Sequence, residues 1–374
     1  MKHNWEYKRL GDVCKANFGN RIVAKDTLSG PFPVYGGGGA TFTTQRYNRE
    51  NCMIVSRFAM SSNCVRFVKG RFFLNDSGLT VESKEVFILQ SYIDKFLWCN
   101  QPLVFNLGRG VAQKNLNVKA LLETSIPVPP MEVQERIVAE LDKINEVIED
   151  CRELLRKLDD LAQSLFYDYF GDPVTNPKGW EMMFLKDILN KIGSGATPKG
   201  GKESYLGGNV SLIRSLNVYN TYFKYEELAK INDKQAYELR NVEVKNDDVL
   251  LNITGASVAR CFIAPTDTLP ARVNQHVAIL RPKSQFLQSI YLHRLIIATS
   301  FQNELITISR GKNATREALP KAIIEKIAIP VPPLVLQEEF AEKIERIEAQ
   351  KKAVEQTIAE LQTLLDSRMD YWFN

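Results

Sequence analysis

The chain has 374 residues, 44% hydrophobic and 25% charged, with a formal net charge of +4, which suits a soluble protein of two or more domains, each with its own core. No apolar run reaches the roughly 18 residues that span a bilayer, and the opening "MKHNWEYKRLGD" has no apolar signal core, so a cytoplasmic protein is expected. Six scattered cysteines (Cys14, Cys52, Cys64, Cys99, Cys151, Cys261) without a CxxC pair, beside only three histidines, argue against a disulfide framework and a structural zinc site.

In chain order, "NWEYKRLGDV" at Asn4 opens a body of mixed α and β character. "YGGGGAT" lacks the Gly-Lys-Ser/Thr ending of a P-loop and is no GxGxxG fingerprint, so it reads as a hairpin tip that lets backbone approach a ligand. "MIVSRFAMSSNCVRFVKGRFFLNDSGLTVES" is a set of short β-rich runs, and "SYIDKFLWCNQPL" has helical spacing. Then comes "IPVPP" at Ile126 to Pro130, which reads as an extended stop, because proline lacks an amide donor. Ile137, Leu141, Ile144, Ile148, Cys151, Leu155, Leu158, Ala162, Leu165 and Tyr169 follow in steps of four and three, the heptad seam of a long helix. Gly171-Asp172-Pro173 breaks it.

The pattern is then written again. "GWEMMFLKDI" at Gly179 repeats the opening, and "IPVPP" returns at Ile329 to Pro333. The second body contains the β-rich "DVLLNITGASVARCFIAPTDTLPARVNQHVAILRPK" and the helical "QSIYLHRLIIATSFQNEL". A second heptad helix keeps the register 203 positions on, with Lys351 and Arg368 as its polar departures. The bodies are basic and the helices acidic: Met1–Ser125 holds 17 Lys and Arg against 9 Asp and Glu, and Pro173–Ala328 holds 21 against 14. Met131–Asp172 holds 5 against 12, and Ile329–Asn374 holds 5 against 9. Two basic bodies point to a polyanionic partner.

The duplicated "IPVPP…QE" before a heptad helix, the "W…L.D" opening of each body and "TGASVAR…NQHVAILRP" resemble the specificity (S) subunits of type I restriction-modification systems, over essentially the whole chain. The resemblance implies an α+β protein: two mixed α/β target-recognition domains, each followed by a long helix, the two helices pairing as an antiparallel coiled coil. Its expected boundaries are 1–130 and 173–333 for the recognition domains, with spacer helices at 131–172 and 334–374. It implies a non-catalytic subunit without cofactor that reads a bipartite, asymmetric double-stranded DNA target. Its partners would be two modification (methyltransferase) subunits, which bind S-adenosylmethionine, and ATP-driven restriction subunits. In the first body "VSRFAMSSNCV" stands where the family usually has a glycine-rich turn.

No adenine-methylation motif, cofactor-binding glycine motif or acidic nuclease cluster is legible, and His276 in "VNQHVAIL" reads as a half-buried strand residue. Candidates for DNA contact are cationic, amide and hydroxyl side chains near turns, since Lys and Arg neutralise phosphates while Arg, Asn, Gln, Ser and Thr read base edges. In the first body these are Arg57, Arg66, Arg71, Arg109, Gln113, Lys114 and Asn115. In the second they are Thr197, Lys199, Lys202, Arg214, Thr254, Ser257, Arg260, Arg310, Lys312, Asn313 and Thr315. Two rival readings are a coiled-coil scaffold, which leaves the basic bodies unexplained, and a free-standing methyltransferase or nuclease, which lacks its motifs.

Overall fold

Each copy of Ile-Pro-Val-Pro-Pro begins inside a strand. In the computed structural model, which describes residues 4–110, 113–198, 205, 207–311 and 317–373, Ser125–Val128 pairs antiparallel with Glu6–Arg9 and sets Pro127 opposite Tyr7. Ala328–Val331 pairs in the same way with Glu181–Phe184, Pro330 opposite Met182. The expectation that the prolines stop a ladder is corrected. Among the described residues each ribbon has only two strands, so both are edges, where a residue without an amide hydrogen is tolerated. The later prolines end the strand, and helices of 40 residues begin at Met131 and Leu334.

The chain folds as two compact units. The first comprises Met1–Arg152 with Gln356–Asn374, and the second Glu153–Glu355. In the first, a six-stranded sheet runs in the order Cys14–Phe18, Gly78–Ser83, Arg49–Ser56, Val65–Leu74, Phe32–Tyr35, Ala40–Thr44. Its apolar side meets the helix Gln90–Cys99, whose Tyr92, Ile93, Phe96 and Leu97 are buried at the spacing of one helix face. Glycines Gly36 to Gly39 make the tip between the strands Phe32–Tyr35 and Ala40–Thr44, as expected.

The second unit contains two four-stranded sheets. One runs Leu189–Ser194, Val277–Pro282, Val249–Asn252, Cys261–Ile263, and the other Ala229–Ile231, Val210–Ile213, Ala271–Val273, Glu243–Val244. A strand buried on both faces, Val249–Asn252, has three consecutive apolar residues rather than an alternating pattern, and closes on buried Asn252. Helices Ser289–Ile297 and Thr299–Ser309 cover the first sheet.

Both units tie the start of a long helix down by the same bonds. Buried Gln134 donates to the carbonyls of Phe87 (2.9 Å) and Pro129 (2.8 Å) and accepts from Leu89 N–H (2.9 Å). Gln337 donates to Phe286 (2.9 Å) and Pro332 (2.8 Å) and accepts from Gln288 N–H (2.9 Å). Tyr92 donates to Pro127 O (3.0 Å) and Tyr291 to Pro330 O (2.6 Å). Three residues further along each short helix, Lys95 pairs with Asp142 and Arg294 with Glu348.

Each unit also receives the end of a long helix. In the first, Phe373 packs 5.5 Å from Tyr92 and Trp372 stacks on Trp5 at 6.0 Å. Ile137, Leu141 and Ile144 are buried there in one core with Leu365 and Trp372. In the second, Phe170 packs 4.8 Å from Tyr291, and Phe170 O accepts from Trp180 Nε1 at 2.9 Å. Leu158, Ala162 and Phe166 are buried there with Phe340, Ile344 and Ile347. The heptad seam holds through Leu158 and Ala162, then departs from expectation: Phe166 and Phe170 are buried while Leu165 and Tyr169 are half-buried. Steps of four drift around a straight helix opposite to steps of three, and they carry the aromatic end onto Tyr291.

The two polar interruptions of the second seam are paired. Buried Lys351 reaches Asp159 at 2.7 Å and Glu348 at 3.2 Å. Arg368 is bonded through two nitrogens to Glu140, which also accepts from Trp372 Nε1 at 3.1 Å. Among the described residues, no helix is long and apolar enough to cross a membrane.

Candidate nucleic-acid interface

In the first unit the strand Arg49–Ser56 ends in a turn that gathers three other segments. Arg57 N–H donates to Ser77 O (2.8 Å) and its Nη1 to Asp76 O (3.1 Å). Its guanidinium lies between two exposed rings, 4.7 Å from Phe18 and 4.6 Å from Phe58. Ala59 follows with φ +46°. A left-handed alanine makes the bend here, and its N–H donates to Asn115 Oδ1 at 3.3 Å. Met60 N–H donates to Lys114 O (2.9 Å) and Leu116 N–H to Arg57 O (2.8 Å). These bonds hold the ribbon of Gly108–Arg109 with Asn115–Leu116 against the turn.

Arg57, Arg109, Gln113, Lys114 and Asn115 are therefore brought together, with Arg109, Gln113 and Asn115 exposed. Lys114 Nζ lies over the Phe105 ring at 4.0 Å. Arg66 has a different part: its Nη2 donates to the carbonyls of Gly37 and Asn63, both at 3.0 Å, so it props the glycine tip from below. Ser56 Oγ donates to the same Gly37 oxygen at 2.6 Å, and a Cβ on Gly37 would stand 2.7 Å from Phe58 O, a separation no side chain tolerates. Arg71 is engaged with Glu50 (3.2 Å) and stacks on Tyr47 at 4.9 Å.

In the second unit the turn after Val249–Asn252 is the counterpart. Gly255 (φ +69°) and Ala259 (φ +67°) bend it. Thr254, Ser257 and Arg260 line a concavity of about 480 Å³ with Tyr219 and His276. The Arg260 guanidinium lies 4.7 Å from the Tyr219 ring, which stacks on Tyr222 at 4.4 Å. Gly255 N–H donates to Glu317 O (3.0 Å), and Arg310 Nε donates to the Glu317 carboxylate (2.9 Å), which links Arg310 to the same turn. Thr197 donates to Gln275 Oε1. Arg214 instead donates to Glu227 O and lines a separate cavity of about 340 Å³. Lys199, Lys202, Lys312, Asn313 and Thr315 lie outside the described residues.

Sequence reasoning passed over Phe18, Phe58 and Tyr219, the ring partners of Arg57 and Arg260. Only Phe58, adjacent to Arg57, was visible as a neighbour. His276 is half-buried as expected, yet it occupies the turn before Val277–Pro282 and lines the concavity. Ring-stacked guanidiniums beside exposed amides and half-buried hydroxyls suit phosphate contact and base stacking.

Desolvation pushes the thiol of buried Cys14 up to about 12 and that of half-buried Cys52 up to about 11, which disfavours the thiolate of each. Burial likewise holds His293 neutral, its ring pushed down to about 3 while Nε2 faces the carbonyls of Asn220 (3.0 Å) and Cys261 (3.2 Å).

Comparison with known proteins places the chain. The family model "Type I restriction modification DNA specificity domain" matches residues 2–158 and again 177–363. The chain is 21% identical over 385 aligned positions to the type I restriction enzyme MjaVIII specificity subunit of Methanocaldococcus jannaschii, covering 93% of this chain and 87% of that one. It is 20% identical over 274 positions to the EcoBI specificity subunit of Escherichia coli, covering 66% of this chain and 56% of that protein, so the match spans little over half of the relative's length. The fold is shared with the S subunit of the type I restriction-modification system of M. genitalium: TM-score 0.61 at 14% identity, over 99% of this chain and 96% of that one. A chain from a structure of type I R-M complex assembly and conformational transition matches with a TM-score of 0.55 at 18% identity, over 98% of this chain and 96% of that one. With the family model matched once in each half, the chain belongs to the type I restriction-modification DNA specificity family.

Proposed function

We propose that this chain is the non-catalytic address reader of a cytoplasmic type I complex, each unit reading one half of a bipartite, asymmetric double-stranded DNA target. The observation that carries this reading is the repetition of one frame around two different turn clusters, each with an arginine stacked on an exposed or half-buried tyrosine or phenylalanine. Arg57, Arg109, Gln113, Lys114 and Asn115 would meet one half-site, and Thr197, Thr254, Ser257, Arg260 and Arg310 the other. Arg71 and Arg214, and Lys199, Lys202, Lys312, Asn313 and Thr315, would add phosphate contacts, while Arg66 supports the glycine tip. Methylation and cleavage would be supplied by two modification subunits and by restriction subunits, docked along the acidic helices.

The long helices would pair as an antiparallel coiled coil between recognition domains 1–130 and 173–333. Glu140 with Arg368 and Asp159 with Lys351 support that pairing and its register. In this reading helix length sets the gap between half-sites. The two ion pairs are 19 residues apart on the first helix and 17 on the second, so lengthening one helix alone would set them against each other. Four residues added to both, after Val147 and after Leu361, add roughly 6 Å at about 1.5 Å per residue. Methylated sites sequenced from cells carrying this variant should keep both half-sequences and gain about one to two base pairs between them. New half-sequences, or an unchanged gap, would refute the spacing role.

A further inference from the structure

We infer that Gln275 reads an adenine through its major-groove edge, in the half-site met by the second unit. The inference rests on the DNA-reading function proposed above. Gln275 is exposed in the turn between the strands Ala271–Val273 and Val277–Pro282. That turn is tightly held: Asn274 N–H donates to Ile213 O (3.1 Å), Asn274 O accepts from Gly195 N–H (3.1 Å), and His276 O accepts from Ile253 N–H (3.0 Å). His276 N–H donates to Asn274 Oδ1 at 3.0 Å.

An exposed glutamine on an ordinary turn samples many rotamers and loses that freedom on binding. Here both ends of the amide are held. Thr197 Oγ1 donates to Oε1, and Nε2 lies 3.1 Å from His276 Nε2, whose Nδ1 is 2.6 Å from Thr254 Oγ1. An amide nitrogen only donates, so His276 Nε2 is the acceptor of that bond and Nδ1 faces Thr254 Oγ1. The amide is then half used. One hydrogen on Nε2 and one lone pair on Oε1 remain, a donor beside an acceptor.

Adenine offers the complement, an acceptor at N7 beside a donor at N6. Guanine offers two acceptors, N7 and O6, and would set O6 against Oε1. The residues around Gln275 suit a reading position: Thr254, Ser257 and ring-stacked Arg260 line the concavity that His276 also lines. None of those three presents a fixed donor–acceptor pair. Gln275 does.

The test is selection of bound duplexes from a randomised library by the full chain, alone and with the modification subunits of its own system, at one fixed salt concentration. Wild type should prefer A·T at one position of the second half-site by roughly 10- to 100-fold, and Gln275→Ala should lose that preference there while keeping every other position. Replacing that adenine by 7-deazaadenine, which lacks N7, should weaken wild-type binding about tenfold and leave Gln275→Ala unaffected. Gln275→Glu, close in shape, keeps an acceptor and loses the donor, so it should turn the preference toward cytosine and guards against a folding defect. Equal sensitivity to 7-deazaadenine in wild type and Gln275→Ala overturns the inference, as does a full set of preferences in Gln275→Ala. Absence of any sequence preference in wild type would overturn the DNA-reading function itself, a separately visible result.

Discussion

The two units share their joints and differ in nearly everything those joints hold. Gln134 and Gln337 make the same three bonds 203 positions apart, and Tyr92 and Tyr291 reach the same proline carbonyl of each ribbon. Between those joints, among the described residues, one unit carries a six-stranded sheet with a glycine tip and a short ribbon, and the other two four-stranded sheets with a concavity lined by turns. Constancy where the long helices attach, and variety where the turns face outward, fits a frame on which reading surfaces can be exchanged.

The sharpest way to break this comparison is at the glutamines. Replacing a buried, fully bonded amide by Ala strands two carbonyls and one N–H, at about 1–3 kcal/mol for each unsatisfied group. Gln134→Ala should destabilise the first unit, and Gln337→Ala the second, by about 4 kcal/mol each. Amide hydrogen exchange resolves the two units separately. If the joints are equivalent, the two losses agree within roughly 1 kcal/mol; a loss confined to one unit would mean that the shared bonds do not carry shared stability.

A smaller effect distinguishes the units by sign. Asp94 and His293 occupy the same position of the matching short helices, each two residues after the tyrosine. Burial pushes the Asp94 carboxyl up to about 6 and the His293 ring down to about 3, in both cases favouring the neutral form. The consequences for stability are opposite. Asp94, with a raised pKa, contributes stability that is full below about pH 4 and lost as pH rises through about 6. His293, with a lowered one, contributes stability present above about pH 6.5 and lost as pH falls toward about 3. Between pH 4 and 6 the first unit should weaken with rising pH and the second strengthen, by up to about 1.4 kcal/mol per pH unit per group. Asp94→Asn and His293→Asn should each flatten the profile of their own unit, measured again by hydrogen exchange; unchanged profiles would discount both groups.

Much of the frame was legible because it is local and periodic. The heptad steps, the repeated opening and the Gly171 break are written in short stretches of sequence. The strand at Ser125–Val128 was not, because a proline ladder is tolerated only when the strand is an edge, and that depends on how few partners the ribbon has. The candidate site was legible by residue type and illegible by partner. Arg57, Arg66 and Arg71 read alike in sequence, yet one is stacked between rings, one is spent on carbonyls under a glycine tip, and one is ion-paired. Those assignments come from Phe18, Gly37 and Glu50, each reached only across the folded sheet. The partners of His276 and Gln275 were hidden for the same reason, since Thr254 and Thr197 lie far from them in sequence.

The polar interruptions of the second seam give the smallest expected effect, and it too separates the units. Lys351 is buried, whereas Arg368 and Glu140 are each 30% exposed. Hydrogen bonding from Arg368 holds the Glu140 carboxyl below its ordinary range, with a further bond from Trp372 acting the same way. A lowered carboxyl pKa contributes stability above the unfolded value near pH 4.3 and loses it as pH falls through the folded value. Glu140→Gln should therefore cost the first unit about 0.5–1 kcal/mol at pH 7, in the range of a partly exposed pair, with the difference fading below about pH 4. Added salt should shrink it too, because water reaches both partners. Hydrogen exchange in the first unit at pH 7 and pH 3.5, in low and high salt, measures this. A loss that persists unchanged at low pH would mean that Glu140 acts through shape, accepting from Trp372, rather than through its charge on Arg368.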